Sequence, residues 1–148
     1  SEAVFTEQAA EQCCRDGRPC ILIRNDASAA DLQGIAAADG LICLEGGASS
    51  HVVEICRPLN RTCIVGAKLS GLNLMQQKGG KWATFSNVGD VAIVEGQVIT
   101  IDGLTGRILN GPVSDASYLS SYPHLCHHLI LLIMIPHYLC VGLPVRWW

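Results

Sequence analysis

The residues best suited to carry out a reaction form one short segment, Gly46-Gly47-Ala48-Ser49-Ser50-His51. The segment joins a short apolar run to a stretch with helical spacing, so it predicts a strand that ends in glycines and then opens a helix. Such a junction brings backbone N–H groups and the positive end of a helix dipole to one point, which suits an anion. The glycines let the backbone approach a phosphate closely, and the two serines add hydroxyl donors.

His51 stands at the predicted start of that helix and can act as a nucleophile toward phosphorus. A neutral ring nitrogen attacks the phosphorus atom, and the same donors stabilise the charge of the phosphohistidine that forms. A lone histidine near a helix start is nevertheless more often a cap or a surface residue, and a Gly-Gly pair by itself is a weak signal. Local sequence alone leaves both interpretations open.

The elements that must position this segment alternate between helix and strand up to residue 65. In chain order they are a helix from Thr6 to Arg15, a strand at 20–23, a helix from Ser28 to Ala37, a strand at 41–44, a helix from Ser50 to Arg57 and a strand at 62–65. Ser28 and Asp31 have the spacing of a capping box, with the shorter acid in the third position. Pro58 closes the helix that follows His51.

From Lys81 onward the hydrophobic period changes to two, which is typical of antiparallel strands. The predicted strands are 82–86, 90–94, 97–101 and a last strand at 107–109 that returns to the sheet. Alternating helices and strands followed by hairpins predict a mixed, layered α/β domain with helices packed on a sheet.

Composition excludes several classes of function. The 148 residues fit one domain, and the net charge of −3 without a basic run argues against nucleic acid as a partner. Four of the eight cysteines, Cys20, Cys43, Cys56 and Cys63, lie in or beside apolar runs, as expected of buried thiols. We therefore expect a reducing, cytoplasmic environment, or that of an organelle.

The C-terminal stretch differs from the rest of the chain. Residues 117–148 hold a single charged side chain, Arg146, and four of the five histidines. The apolar run Leu129–Ile135 is too short to span a bilayer, so a membrane is not an expected partner. The histidine and cysteine spacing fits no zinc motif, so no metal site is expected. Residues 113–148 are predicted to be a separate apolar tail, disordered or non-native.

Three blocks of the sequence carry a resemblance. The block LICLEGGASSHVVEICRPLNRTCIVG (41–66) resembles the signature of the swivelling phosphohistidine domain of phosphoenolpyruvate-utilising enzymes. Blocks 20–40 and 99–111 are similar to flanking parts of the same domain, and the resemblance covers residues 3–112. Within the family the chain most resembles the pyruvate phosphate dikinases. The implied fold is a layered β/β/α swivelling domain with a mixed sheet.

The resemblance also implies roles for individual residues. His51 takes the place of the phosphorylated histidine, and Gly46, Gly47, Ser49 and Ser50 take the places of the phosphate-binding loop. Ser49 matches a threonine that is a regulatory phosphorylation site in plant dikinases. Among possible supporting residues, Arg57 matches the arginine that ends the helix, whereas Glu54 stands where the family has an apolar residue.

The function implied is that of a phosphoryl carrier within a larger phosphotransferase. A nucleotide-binding domain would phosphorylate His51, and a domain that binds phosphoenolpyruvate or pyruvate would exchange the phosphoryl group with it. ATP and Mg²⁺ would be bound by those partner domains and no cofactor by this chain, which alone should not turn over. The alternative is a non-catalytic binding or regulatory module that keeps the fold.

Overall fold

The computed structural model describes residues 1–27, 31–47, 51–76, 82–86, 92–103, 106–113 and 140–141. In chain order the elements are β1 (Glu2–Val4), α1 (Glu7–Arg15), β2 (Cys20–Arg24), α2 (Leu32–Ala37), β3 (Gly40–Cys43), α3 (His51–Cys56), β4 (Thr62–Val65), a 3₁₀ helix (Ala67–Ser70), β5 (Leu72–Gln76), β6 (Trp82–Ser86), β7 (Ala92–Val94), β8 (Ile99–Asp102), β9 (Arg107–Asn110) and β10 (Cys140–Val141). Over these ranges no helix has both the length and the apolar character to cross a membrane.

A parallel sheet with the strand order β1-β2-β3-β4-β10 forms the centre of the fold. Its register pairs Leu22 with Leu41 and Leu41 with Cys63, so the three central strands lie level with one another. Each helix joins two neighbouring strands, and the strand order runs steadily in one direction from β1 to β4. Right-handed crossovers therefore place α1, α2 and α3 on the same face of the sheet.

Side chains of the parallel strands alternate between two buried clusters. Leu22 packs on the helix side, whereas its neighbours Ile21 and Ile23 pack on the other side. The second cluster also includes residues of the antiparallel strands, namely Leu72, Ile93, Ile99 and Ile108. The parallel sheet is thus a middle layer between helices and antiparallel strands, which explains why its strands are apolar on both faces.

The antiparallel strands form their own sheets. Strands β5, β6 and β7 make a three-stranded sheet, and β8 pairs with β9. The predicted mixed sheet is seen in part: parallel and antiparallel strands form separate sheets, and within the described ranges a bridge between Glu2 and Val98 adds an antiparallel link to the parallel sheet. The predicted last strand pairs with β8 because the Asp102–Gly106 turn reverses the chain directly.

The starts of helices α1 and α2 test the capping residues that the sequence predicted. Thr6 caps α1 as predicted, with its hydroxyl accepting a hydrogen bond from the Ala9 N–H at 3.2 Å. The capping-box prediction for Ser28 and Asp31 stays a prediction; α2 begins at Leu32. The Asp31 carboxylate accepts a hydrogen bond from Arg24. Ser28 lies outside the described residues.

Several elements were not predicted from the sequence. They are β1, the 3₁₀ helix, β5 and β10, and the last of these pairs in parallel with β4. The predicted boundary between a 3–112 domain and a 113–148 tail stays a prediction, since 114–139 and 142–148 lie outside the described residues.

The cysteines of the core are as buried as the sequence predicted. Cys20, Cys43, Cys56 and Cys63 are at most 1% exposed. Burial raises the pKa of the Cys20 thiol to about 12 and that of Cys43 to about 11. These two thiols stay protonated at neutral pH, so they act as small apolar side chains rather than as nucleophiles.

Candidate functional site

The candidate site lies at the carboxyl edge of the parallel sheet. Strands β2, β3 and β4 are parallel and in level register, so the segments that follow them meet at one edge. Ligand sites of open parallel sheets lie at this edge, where loops and helix starts converge. The glycine segment and His51 follow β3, the middle strand of the three.

Backbone hydrogen bonds fix the start of the loop after β3. The N–H of Leu44 donates to Arg24 O at 2.9 Å, and the N–H of Glu45 donates to Asn25 O at 2.8 Å. From the other side, the Lys68 N–H donates to Leu44 O at 2.9 Å. The loop is therefore held between both neighbouring connections up to Glu45, the residue before the glycines.

The Glu45 side chain ties the same three connections together. Its carboxylate accepts from Lys68 Nζ at 2.9 Å and from Asn25 Nδ2 at 3.2 Å. Those hydrogen bonds, with the positive charge of Lys68, lower the pKa of Glu45. The carboxylate is thus ionised and paired at neutral pH.

Two glycines allow the loop to pass close to the end of β4. Gly46 has a φ of 88°, and Gly66 a φ of 73°, a region that other residues rarely adopt. A Cβ atom on Gly66 would lie 3.1 Å from the Gly46 carbonyl oxygen. A Cβ on Gly47 would meet nothing within 4 Å, so space is open beside that residue. Ser49 and Ser50 lie outside the described residues.

Helix α3 presents His51 to the outside of the molecule. Val52, Val53 and Cys56 are buried against the sheet, whereas His51 and Glu54 lie on the exposed side. The His51 side chain is 76% exposed, and its Nδ1 atom lies 3.2 Å from Oε2 of Glu54. The burial pattern fixes the helix, and the ring stands on it in solvent.

Arg57, predicted to support the site, follows the other end of α3 and is exposed. Six residues of helix correspond to a rise of about 9 Å and a rotation of roughly 240°. His51 and Arg57 therefore lie at opposite ends of α3 and on different sides of its axis.

Sequence reasoning missed a second charged cluster, which lies beside the site. Arg24 is 2.9 Å from the Asp31 carboxylate and 3.7 Å from that of Glu7. A hydrogen bond with Asp31, then burial and the Asp31 charge, raise the pKa of Glu7. Arg24 ends an otherwise apolar strand, a signal that could have prompted a search for acidic partners on the adjoining helices.

The described residues contain no group of three or more His, Cys, Asp or Glu side chains that could hold a metal ion. A pocket of about 190 Å³ lies at the opposite, amino edge of the sheet, and its lining includes Asp39, Gly40 and Thr62. Neither observation adds a residue to the His51 site.

Comparison with known proteins defines the class to which this fold and site belong. Residues 17–106, which include the whole carboxyl edge described above, match the family "PEP-utilising enzyme, mobile domain". The chain belongs to this family of mobile domains.

Curated proteins similar to the chain include pyruvate phosphate dikinases. The chain is 34% identical over 112 residues to the enzyme of Rhizobium meliloti (strain 1021), a match that covers 76% of this chain and 12% of that protein. It is 31% identical over 110 residues to the chloroplastic dikinase 1 of Arabidopsis thaliana, covering 74% of this chain and 11% of that protein. It is 28% identical over 123 residues to the Clostridium symbiosum enzyme, covering 82% and 13%. The chain thus spans about an eighth of these relatives.

Proposed function

We propose that this chain is the phosphoryl-carrier domain of a pyruvate phosphate dikinase-like phosphotransferase. His51 accepts a phosphoryl group at a nucleotide site in one partner domain and delivers it at a pyruvate or phosphoenolpyruvate site in another. The observation that carries the proposal is the exposed His51 ring, which follows Gly46 and Gly47 at the carboxyl edge of a family mobile domain.

The exposure of the ring suits a carrier that must serve two sites. A carrier ring has to enter each partner site, so it must project from a rigid base without being buried in it. The hydrogen bonds of Leu44 and Glu45 supply the rigid base, and the His51 ring, whose side chain is 76% exposed, is accessible to a partner domain. The open space beside Gly47 leaves room for a phosphoryl group near the loop.

The serines of the segment complete the proposed site. Ser49 and Ser50 would donate hydrogen bonds to the phosphoryl oxygens, together with the backbone of Gly46 and Gly47. Ser49 is also the proposed regulatory phosphorylation site, because a phosphate there would place like charge beside the phosphoryl group on His51. The partner domains would supply ATP and Mg²⁺, so this chain alone should not turn over.

The test is phosphorylation of the 148-residue chain by a nucleotide-binding domain of a dikinase, with ATP and Mg²⁺. Intact mass is measured in alkali, where phosphohistidine survives, and again after acid treatment. We expect one acid-labile phosphoryl group on the natural chain and none on His51→Ala, while His124→Ala, the matched control, keeps it. An acid-stable adduct, or an adduct retained by His51→Ala, would contradict the proposal.

A second candidate is a non-catalytic binding module that keeps the fold. Glu54 favours it, since a 68% exposed carboxylate 3.2 Å from the ring could repel a phosphoryl group. In that case the folded chain takes no phosphoryl group, even from several dikinase nucleotide-binding domains.

A further inference from the structure

The contact between His51 and Glu54 determines which ring nitrogen is available for chemistry. A neutral imidazole has one N–H and one lone pair, and an ionised carboxylate can only accept hydrogen bonds. The Glu54 Oε2 atom lies 3.2 Å from Nδ1. A hydrogen bond at this position therefore requires the proton on Nδ1, which leaves the lone pair on Nε2.

We propose that Glu54 is a positioning residue that keeps the ring proton of His51 on Nδ1 and directs phosphoryl transfer to Nε2. This inference rests on the proposed function. It also explains how a carboxylate can stand beside a phosphoryl carrier, because Glu54 faces one ring nitrogen while the phosphoryl group is carried on the other.

The transfer then proceeds without a proton leaving the ring. The Nε2 lone pair attacks phosphorus, and the bond from phosphorus to the leaving oxygen breaks with its electron pair going to that oxygen. The ring becomes positively charged, and Nδ1–H now donates to Glu54 in a charge-assisted hydrogen bond. In the delivery step an oxygen lone pair of the acceptor, bound by the partner domain, forms a bond to phosphorus while the P–N bond breaks; the electron pair of that bond returns to Nε2, and the ring is neutral again with its proton still on Nδ1.

Two other described charged groups, Glu45 and Arg57, lie on the segments that flank α3. The carboxylate of Glu45 is bound by Lys68 and Asn25. Arg57 lies beyond the far end of α3. Three-residue spacing on one helix side brings Glu54 to the ring, and both side chains can adjust because they are exposed.

The first test reads the tautomer in the full-length, unphosphorylated chain. ¹⁵N NMR of labelled histidine, with the His51 signals assigned by their loss in His51→Ala, measures the ratio of Nδ1–H to Nε2–H. Exposed pairs of this kind are weak, so we expect Glu54→Ala to lower the ratio about twofold. Glu54→Gln, whose amide oxygen still accepts, should restore part of it. Glu95→Ala, a control at another exposed glutamate, should leave it unchanged.

The second test reads the product with phosphoramidate, a donor that needs no partner domain. The Nε2 lone pair displaces ammonia from phosphorus, and NMR or chromatography separates the two phosphohistidine isomers. We expect the Nε2 isomer to dominate in the natural chain, and the share of the Nδ1 isomer to rise about twofold in Glu54→Ala. Thermal midpoints within about 1 °C would confirm that the variants are folded, as expected at an exposed position.

Equal tautomer ratios and equal isomer ratios in the natural chain and Glu54→Ala would overturn the inference. A shifted tautomer and isomer ratio in a chain that no dikinase domain phosphorylates would support the role of Glu54 and overturn the carrier function. The two proposals can therefore fail separately.

Discussion

The junctions after β2 and β3 occupy equivalent places in consecutive β-α-β units, yet their charged contacts differ in burial. After β2, Arg24 is bound by Asp31 and Glu7, and the Asp31 side chain is only 8% exposed. After β3, the charged contact joins His51 and Glu54, which are 76% and 68% exposed. The first junction fastens helices to the sheet, whereas the second holds the ring of the proposed phosphoryl carrier in solvent. The two charged contacts therefore differ in burial: the Asp31 side chain is enclosed, whereas His51 and Glu54 face solvent.

The largest expected difference between the junctions is in phosphoryl uptake. His51→Ala should lose uptake completely, because no other group in the described loop can form the P–N bond. Arg24→Ala should keep it, since Arg24 fastens α1 and α2 and does not contact the ring. Labelling both variants by the dikinase nucleotide-binding domain, at a temperature where each is folded by circular dichroism, measures this. Equal uptake by the two variants would remove the distinction between the junctions.

Stability should show the reverse order. Arg24→Ala removes the positive charge that pairs with the buried Asp31 carboxylate, and we expect a loss of about 2 kcal/mol in the free energy of unfolding. Arg15→Ala is the matched control, because its pair with Glu11 is exposed and should contribute about 0.5 kcal/mol or less. Urea denaturation monitored by circular dichroism measures both. Similar losses in the two variants would mean that the Arg24 cluster is not structural.

Two glycines sharpen the comparison further. Gly66 and Gly17 have φ values of 73° and 68°, so an alanine at either position should cost about 1 kcal/mol in backbone strain. An added Cβ at Gly17 meets nothing, whereas at Gly66 it lies 3.1 Å from the Gly46 oxygen. We expect Gly66→Ala to be the more destabilising, and to reduce phosphoryl uptake by displacing the loop. Urea denaturation and labelling of both variants would show whether the loop needs this close approach.

The smallest effect is a difference in pH dependence between the carboxylates of the two junctions. The folded-state pKa of Glu7 is raised, so its contribution to stability falls as the pH rises from about 4.5 through that higher value. The folded-state pKa of Glu45 is lowered, so its contribution is present above about 4.5 and is lost as the pH falls through the lower value. Glu7→Gln should therefore remove a decrease in the free energy of unfolding as the pH rises above about 4.5. Glu45→Gln should remove an increase in that free energy as the pH rises toward about 4.5. Urea unfolding of the two variants from pH 3 to 6 measures this. If the free energies of unfolding of both variants depend on pH in the same way, the assignment is wrong.

Local sequence determined much of the fold and only part of the site. The Thr6 cap, the apolar strand at 20–23 and the inward residues of α3 follow from short-range patterns, and the structure confirms them. Strand β1 has three residues, too few to establish a period. Strand β5 does alternate, at Leu72 and Leu74, and could have been found.

Contacts between distant residues could not be predicted in this way. Arg24 and Glu7 meet only after two helices have packed on the sheet, so spacing in the sequence does not predict their contact. The contact between Arg24 and Asp31 likewise joins the end of a strand to the start of a helix, so spacing in the sequence could not predict it. His51 and Glu54, three residues apart on one helix, were by contrast within reach of a local argument.

The pairing of β1 has a consequence for how the chain folds. The Ala3 N–H donates to Gln97 O at 2.8 Å, and the Gly96 N–H donates to Ala3 O at 2.9 Å, so the outer edge of β1 is covered by residues that follow some 93 positions later. During synthesis, strands β1 to β4 can assemble before that segment and the antiparallel cover exist. The nascent sheet then has an unpaired edge and a bare apolar face, the two features that favour intermolecular association. We expect a chain ending before residue 96 to aggregate.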